Sequence, residues 1–174
     1  MNQTSSQLKT LKPTASLDLS KWYMGILLTN LVENKDTDGA FFLLEATLLP
    51  GNEPPPHVHT REDELFYVLE KEFDVYVGEG ALEVKTGECI LLPKFKPHAF
   101  VIRSLGFACS FSTPLEGVEE AFRRMSSPAQ NLDPPTQVLT YSMSDLAQTA
   151  RRYREFGDTN LGPGRSCGAT ALVP

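Results

Sequence analysis

Between Trp22 and Thr113 the apolar residues come in packets, most of them short. ELFYVLE, FDVYVG, ALEV, ECILLP, HAFVIR and FACSFST follow one another, with Gly78, Gly80, Gly87, Pro93, Pro97 and Gly106 among and between them. Glycine and proline end regular elements, so this punctuation favours short strands joined by turns. Two longer packets come first, GILLTNLV at 25–32 and GAFFLLEATLL at 39–49, joined by the turn-forming ENKDTDG. PGNEPPP at 50–56 can be neither helix nor central strand, because its prolines carry no N–H. The pattern predicts a mainly β fold, a sandwich or barrel, over 21–114.

The flanks read differently. Residues 1–20 are polar and are expected to form a loose arm. After Pro114, Leu115, Val118, Phe122 and Met125 recur at three- and four-residue steps, which predicts a helix over 115–127 with one apolar stripe. SMSDLAQTARRYREFG at 142–157 predicts a second helix, capped by Ser142 or Ser144 and ended by Gly157. These C-terminal α-helices, within 115–160, are expected to pack outside the barrel, and 161–174 to be a flexible tail.

Charge and cysteine content narrow the function classes. A net charge of −6 with no Lys/Arg block argues against nucleic acid or an anionic membrane as partner. No apolar run approaches the roughly 18 residues of a spanning helix, and the first residues lack the apolar stretch of a signal peptide. Cys89, Cys109 and Cys167 form no CxxC pair and read as free thiols, so a reducing, cytoplasmic location is expected.

The chain has three histidines, and two of them, His57 and His59, stand one residue apart after three prolines. In an extended segment, residues i and i+2 share a face, so both imidazoles can serve one ion. Glu64 opens the strand ELFYVLE, and the third histidine, His98, opens HAFVIR. If the barrel brings these strands together, three imidazoles and a carboxylate converge. Glu62 and Asp63 compete for the carboxylate role; Glu64 is preferred because it heads the apolar strand. Such a nitrogen-rich set suits one divalent transition metal per chain, Mn, Fe, Co, Ni, Cu or Zn, and not Ca or Mg. Phe66, Phe100, Ile102 and Phe111 lie on the same or neighbouring strands and are candidate walls of an apolar substrate pocket; they serve equally well as barrel core.

In these motifs the chain resembles the cupins. The first cupin motif, G-x5-H-x-H-x3/4-E-x6-G, is met by Gly51, His57, His59 and Glu64, with Lys71 where the last glycine falls. The second, G-x5-P-x-G-x2-H-x3-N, is met by Gly87, Pro93 and His98, with Phe95 in place of glycine and Ile102 in place of asparagine. Glycine at such places supplies a positive φ or close packing, so altered turns are expected at Lys71 and Phe95. The resemblance covers roughly 25–113 and implies a cupin-type β-barrel (double-stranded β-helix, jelly roll). The C-terminal helices, with PPPHVH and EFGDTNLGP, look like the single-domain, quercetinase-like cupins. That likeness implies a metal-dependent dioxygenase acting with dioxygen on a flavonol-like or other phenolic or enol substrate. Glu64 would then be both ligand and catalytic base. The alternatives are a non-catalytic metal- or small-molecule-binding cupin and a cupin isomerase or decarboxylase. A homodimer is expected, since cupins often pair.

Overall fold

The computed structural model describes residues 16–104, 107–113, 116–136 and 158–160. The predicted second helix, most of the N-terminal arm and the tail lie outside these residues.

Two antiparallel sheets face each other. The larger runs through Ser20–Tyr23 (β1), Ile26–Val32 (β2), Phe42–Leu48 (β3), Glu64–Glu70 (β5), Cys89–Leu92 (β8), Phe107–Thr113 (β10) and Ser127–Pro128 (β11). The smaller holds His57–His59 (β4), Glu72–Val77 (β6), Gly80–Lys85 (β7), His98–Ile102 (β9) and Asp158–Asn160 (β12). Their spatial orders are β11-β1-β2-β3-β10-β5-β8 and β12-β4-β9-β6-β7. Within the larger sheet β3 and β5 follow one another along the chain but are separated in space by β10, and in the smaller sheet β6 lies beside β9. This crossing between sheets is the jelly-roll topology expected for the region.

The apolar periodicity explains which side of each sheet is covered. Along β3, Phe42, Leu44, Ala46 and Leu48 are buried while Leu43, Glu45 and Thr47 are not. On β5, Glu64, Phe66 and Val68 turn inward, and on β9 His98, Phe100 and Ile102 do so. The core joins the apolar ones among these residues to Tyr23, Phe73, Val75, Val84 and Leu92. Phe66, Phe73 and Phe100 form a closed triangle of rings, with centroids 5.4 to 5.9 Å apart. The predicted first helix is present as Glu116–Met125 (α1). Phe122 on it meets Tyr23 edge to face at 4.9 Å, and Met125 also packs on the core.

Lys71 and Phe95 correct the expectation of altered turns. Both adopt the left-handed backbone that glycine would supply, with φ of 70° and 64°. Each turn is held by contacts its side chain does not make. The Thr86 N–H and hydroxyl both donate to the Lys71 carbonyl at 2.9 Å, and the Phe95 N–H donates to the His59 carbonyl at 2.8 Å. The β1–β2 hairpin also has two positive-φ residues, Met24 and Gly25. Here glycine is required twice over, since a Cβ on Gly25 would lie 2.8 Å from Cγ of the buried Asn52.

A non-glycine residue in this region costs about 1–2 kcal/mol, part of which glycine would give back as unfolded-state entropy. Lys71→Gly and Phe95→Gly are each expected to stabilise the protein by up to about 1 kcal/mol, because both side chains are exposed. Urea midpoints should rise with an unchanged m-value. A fall at both positions would show that the side chains themselves hold the turns.

Candidate metal centre

The sequence X-Pro-His occurs twice, as Pro55-Pro56-His57 and Lys96-Pro97-His98. Proline restricts the residue before it to extended backbone, which presents that residue's carbonyl toward the following imidazole. In both cases the histidine Nδ1–H donates to that carbonyl, His57 to Pro55 at 2.9 Å and His98 to Lys96 at 3.1 Å. This fixes the tautomer. Both Nε2 atoms are left with a lone pair, and they face each other at 3.2 Å.

The strand register closes the group. His57 pairs directly with His98 across β4 and β9, and Glu64 heads β5 at the same end of the barrel. The Glu64 Oε2 lies 3.2 Å from His59 Nε2 and 3.3 Å from His98 Nε2. One donor atom from each of His57, His59, Glu64 and His98 falls within 4.8 Å of the others. His59, Glu64 and His98 are buried and His57 is half-buried, so among the four the approach from solvent is on the His57 side.

Lone pairs and a carboxylate gathered in this way need positive charge between them, either protons or a cation. Bonds of about 2.1 Å to a central ion would set neighbouring donors about 3.0–3.4 Å apart in octahedral or tetrahedral geometry. Three of the six donor pairs, at 3.2 to 3.3 Å, match that spacing, and all four donors lie within 4.8 Å of one another. The residues therefore fit a divalent transition metal. Burial, with the neighbouring His98 and His59, lowers the His57 pKa to about 3, so its imidazole is neutral at pH 7. Burial alone would raise the Glu64 carboxyl; the neighbouring imidazoles, His59 foremost, outweigh it and hold the group ionised.

The competing carboxylates stand elsewhere. Asp63 accepts the Lys94 N–H at 2.8 Å, tying the two motif loops together. Glu62 is buried but does not belong to the four-residue group. Phe66, Phe100 and Ile102 lie two or more residues inward from the ligands on β5 and β9 and are packed in the core. Phe111 sits opposite Phe66 and Leu44 in register; its side chain lies outside the described residues. Sequence reasoning missed Glu53, whose carboxylate accepts N–H donors from Gly51 at 2.9 Å and Ile102 at 2.8 Å, pinning the proline segment to the end of β9. It also missed β12, which pairs with the histidine strand β4.

A cupin domain model matches residues 44–111, from β3 to β10. No curated protein matches the chain. Among solved structures, KdgF from Halomonas sp. is similar at 17% identity and TM-score 0.49, over 55% of this chain and 85% of its own. An RmlC-like cupin from Shewanella frigidimarina is similar at 21% identity and TM-score 0.48, over 56% of this chain and 82% of its own. A predicted oxalate decarboxylase from Thermotoga maritima is similar at 17% identity and TM-score 0.48, over 52% and 81%. The stretch matched by the cupin model carries His57, His59, Glu64 and His98. Among the described residues no helix is long and apolar enough to cross a membrane.

The two pKa directions make metal-free stability depend on pH. Unfolded, the His57 side chain takes a proton near 6.5; folded, it does so only near 3. Between those values the unfolded chain binds the extra proton, so stability falls as pH falls. The lowered Glu64 carboxyl acts in the same direction below its ordinary 4.5. Urea midpoints of chelated protein should therefore drop from pH 7 to pH 4. His57→Gln should flatten the slope; an equal slope in that variant would remove His57 as its source.

Proposed function

We propose that this protein is a metal-dependent cupin dioxygenase, acting on a flavonol-like or other phenolic or enol substrate. The observation that carries the reading is the donor set itself. Three imidazoles and a carboxylate converge inside a barrel lined with Phe and aliphatic side chains. A bound divalent metal supplies Lewis-acid stabilisation of a substrate oxyanion and access to dioxygen chemistry. The chain's own residues do the rest. His57 and His98, fixed by the Pro55 and Lys96 carbonyls, keep their Nε2 lone pairs directed at the centre. Glu64, held ionised, accepts the proton of the substrate hydroxyl at a carboxylate oxygen. The packed rings of Phe66 and Phe100 keep water from the floor beneath it.

One observation favours a second reading, a cupin that binds a metal or small molecule without turnover. Phe66, Phe100 and Ile102 are between 1% and 5% exposed, so their surface is already spent on the core.

Oxygen uptake separates the two readings. The protein, loaded in turn with Mn, Fe, Co, Ni, Cu and Zn, is expected to consume oxygen with at least one member of a flavonol and phenol panel. No uptake with any pairing would end the dioxygenase reading. Glu64→Gln should lower kcat by about 10²–10⁴ with little change in substrate Kd; full activity would remove Glu64 as base. His98→Ala should abolish metal retention, read by elemental analysis, while far-UV circular dichroism stays that of the folded barrel.

A further inference from the structure

The larger sheet ends in an edge strand whose outer face is apolar. Among the described residues β8 pairs with β5 on one side and with no strand on the other. The Val68 N–H donates to the Glu88 carbonyl at 3.0 Å, and the Gly87 N–H to the Val68 carbonyl at 2.8 Å. Hydrogen-bonded pairs alternate along an antiparallel ladder, so the next ones are Phe66–Ile90 and Glu64–Leu92. The N–H and C=O of Cys89 and Leu91 therefore point to the free edge. Leu65 stands opposite Leu91 and Tyr67 opposite Cys89, which sets these four on one face of the sheet. Leu91 is 57% exposed, Tyr67 44%, and Phe95, just past the strand, 63%.

The residues on either side of Leu91 are self-complementary. Glu88 lies three residues before it and Lys94 three after; Gly87 lies four before and Phe95 four after. If two such strands pair antiparallel about a two-fold axis at Leu91, each Glu88 falls opposite the partner's Lys94. Each Phe95 then falls opposite the partner's Gly87, where an added Cβ would meet nothing within 4 Å. Next to Gly87, Thr86 lines a surface cavity of about 560 Å³ together with Leu69, Glu70, Lys71, Glu72 and Lys85. Leu69 and the lysine stems suit an aromatic ring. An axis at Cys89 would instead set Glu88 against the partner's Ile90. Pro93 has no N–H to give, so the ladder ends there.

We propose that β8 is a dimerisation edge. Two copies of this chain pair antiparallel about Leu91, and each Phe95 seats at the partner's cavity. The occupant is a second copy because the charge pair and the ring-and-cavity pair both come from one chain, at matching distances from one residue. That is the self-complementarity of a two-fold interface. The proposal is independent of what the metal centre holds.

The test is sedimentation velocity of the full chain from about 1 to 100 µM, a range that reads micromolar association. A dimer is expected. Leu91→Arg sets like charges against each other at the axis and should weaken association by about 100-fold or more. Phe95→Asn removes the ring and keeps a residue that tolerates the left-handed backbone; a loss of about 10–100-fold is expected. Far-UV circular dichroism should stay that of the folded barrel in both. The register is read by oxidation. Leu91→Cys sets two thiols opposite each other, with Cα atoms about 5.5 Å apart, within disulfide reach. That variant should cross-link between chains. The unsubstituted protein, whose Cys89 falls opposite the partner's Pro93, should not. A monomer across the whole concentration range would overturn the proposal. So would a dimer that survives Leu91→Arg, or cross-linking of the unsubstituted protein as readily as Leu91→Cys. If Leu91→Arg misfolds, Phe95→Asn and the cross-link decide.

Discussion

Two backbone carbonyls, those of Pro55 and Lys96, govern what the centre of this protein can do. Each lies ahead of a proline and then a histidine, and each accepts that histidine's Nδ1–H. An imidazole free to choose its tautomer could satisfy itself with a neighbour and close the centre. With Nδ1 committed, the lone pairs of His57 and His98 have only the interior to face, and Glu64 adds negative charge to the same space. The structure around them is arranged to hold this otherwise unfavourable concentration of acceptors.

That holding is done by apolar packing at one remove. Glu64 and His98 open strands whose next inward residues are Phe66 and Phe100, and these rings pack with Phe73. Burial of such aromatic side chains is worth about 1.5–3 kcal/mol apiece, a scale on which a few polar groups can be carried. The polar groups sit at strand starts, where the barrel can present them to an approach past the half-buried His57. The apolar residues deeper on the same strands supply the rigidity. Ligand position and core stability therefore reside in alternate inward residues of the same two strands.

Much of this was legible in the sequence, for reasons that can be stated. The eight apolar packets from GILLTNLV to FACSFST became strands β2, β3 and β5 to β10, most of them bounded by Gly, Pro or other turn residues. The grouping of the four candidate ligands was legible because a chain with three histidines leaves few ways to group them, and because i and i+2 share a face in extended chain. Other features depended on partners distant in sequence. Asp158–Asn160 has little intrinsic preference for a strand; it is one because β4, about a hundred residues earlier, offers an edge. Glu53 looked like one more loop carboxylate until the fold placed the N–H groups of Gly51 and Ile102 around it. Lys71 and Phe95 misled in the other direction. Residue identity suggested altered turns, whereas surrounding hydrogen bonds imposed the left-handed backbone despite the side chain.

The bond from the Phe95 N–H to the His59 carbonyl has a mechanical consequence. It fastens the loop that leads to His98 directly onto the strand that carries His57 and His59, and the Lys94 N–H reaches Asp63, next to Glu64, from the same loop. The two halves of the centre are thus cross-tied outside the donor cluster. Peeling either half away from the other breaks these two bonds as well. Movement of one half is therefore coupled to the other, and release of whatever the centre holds carries the added cost of the cross-ties.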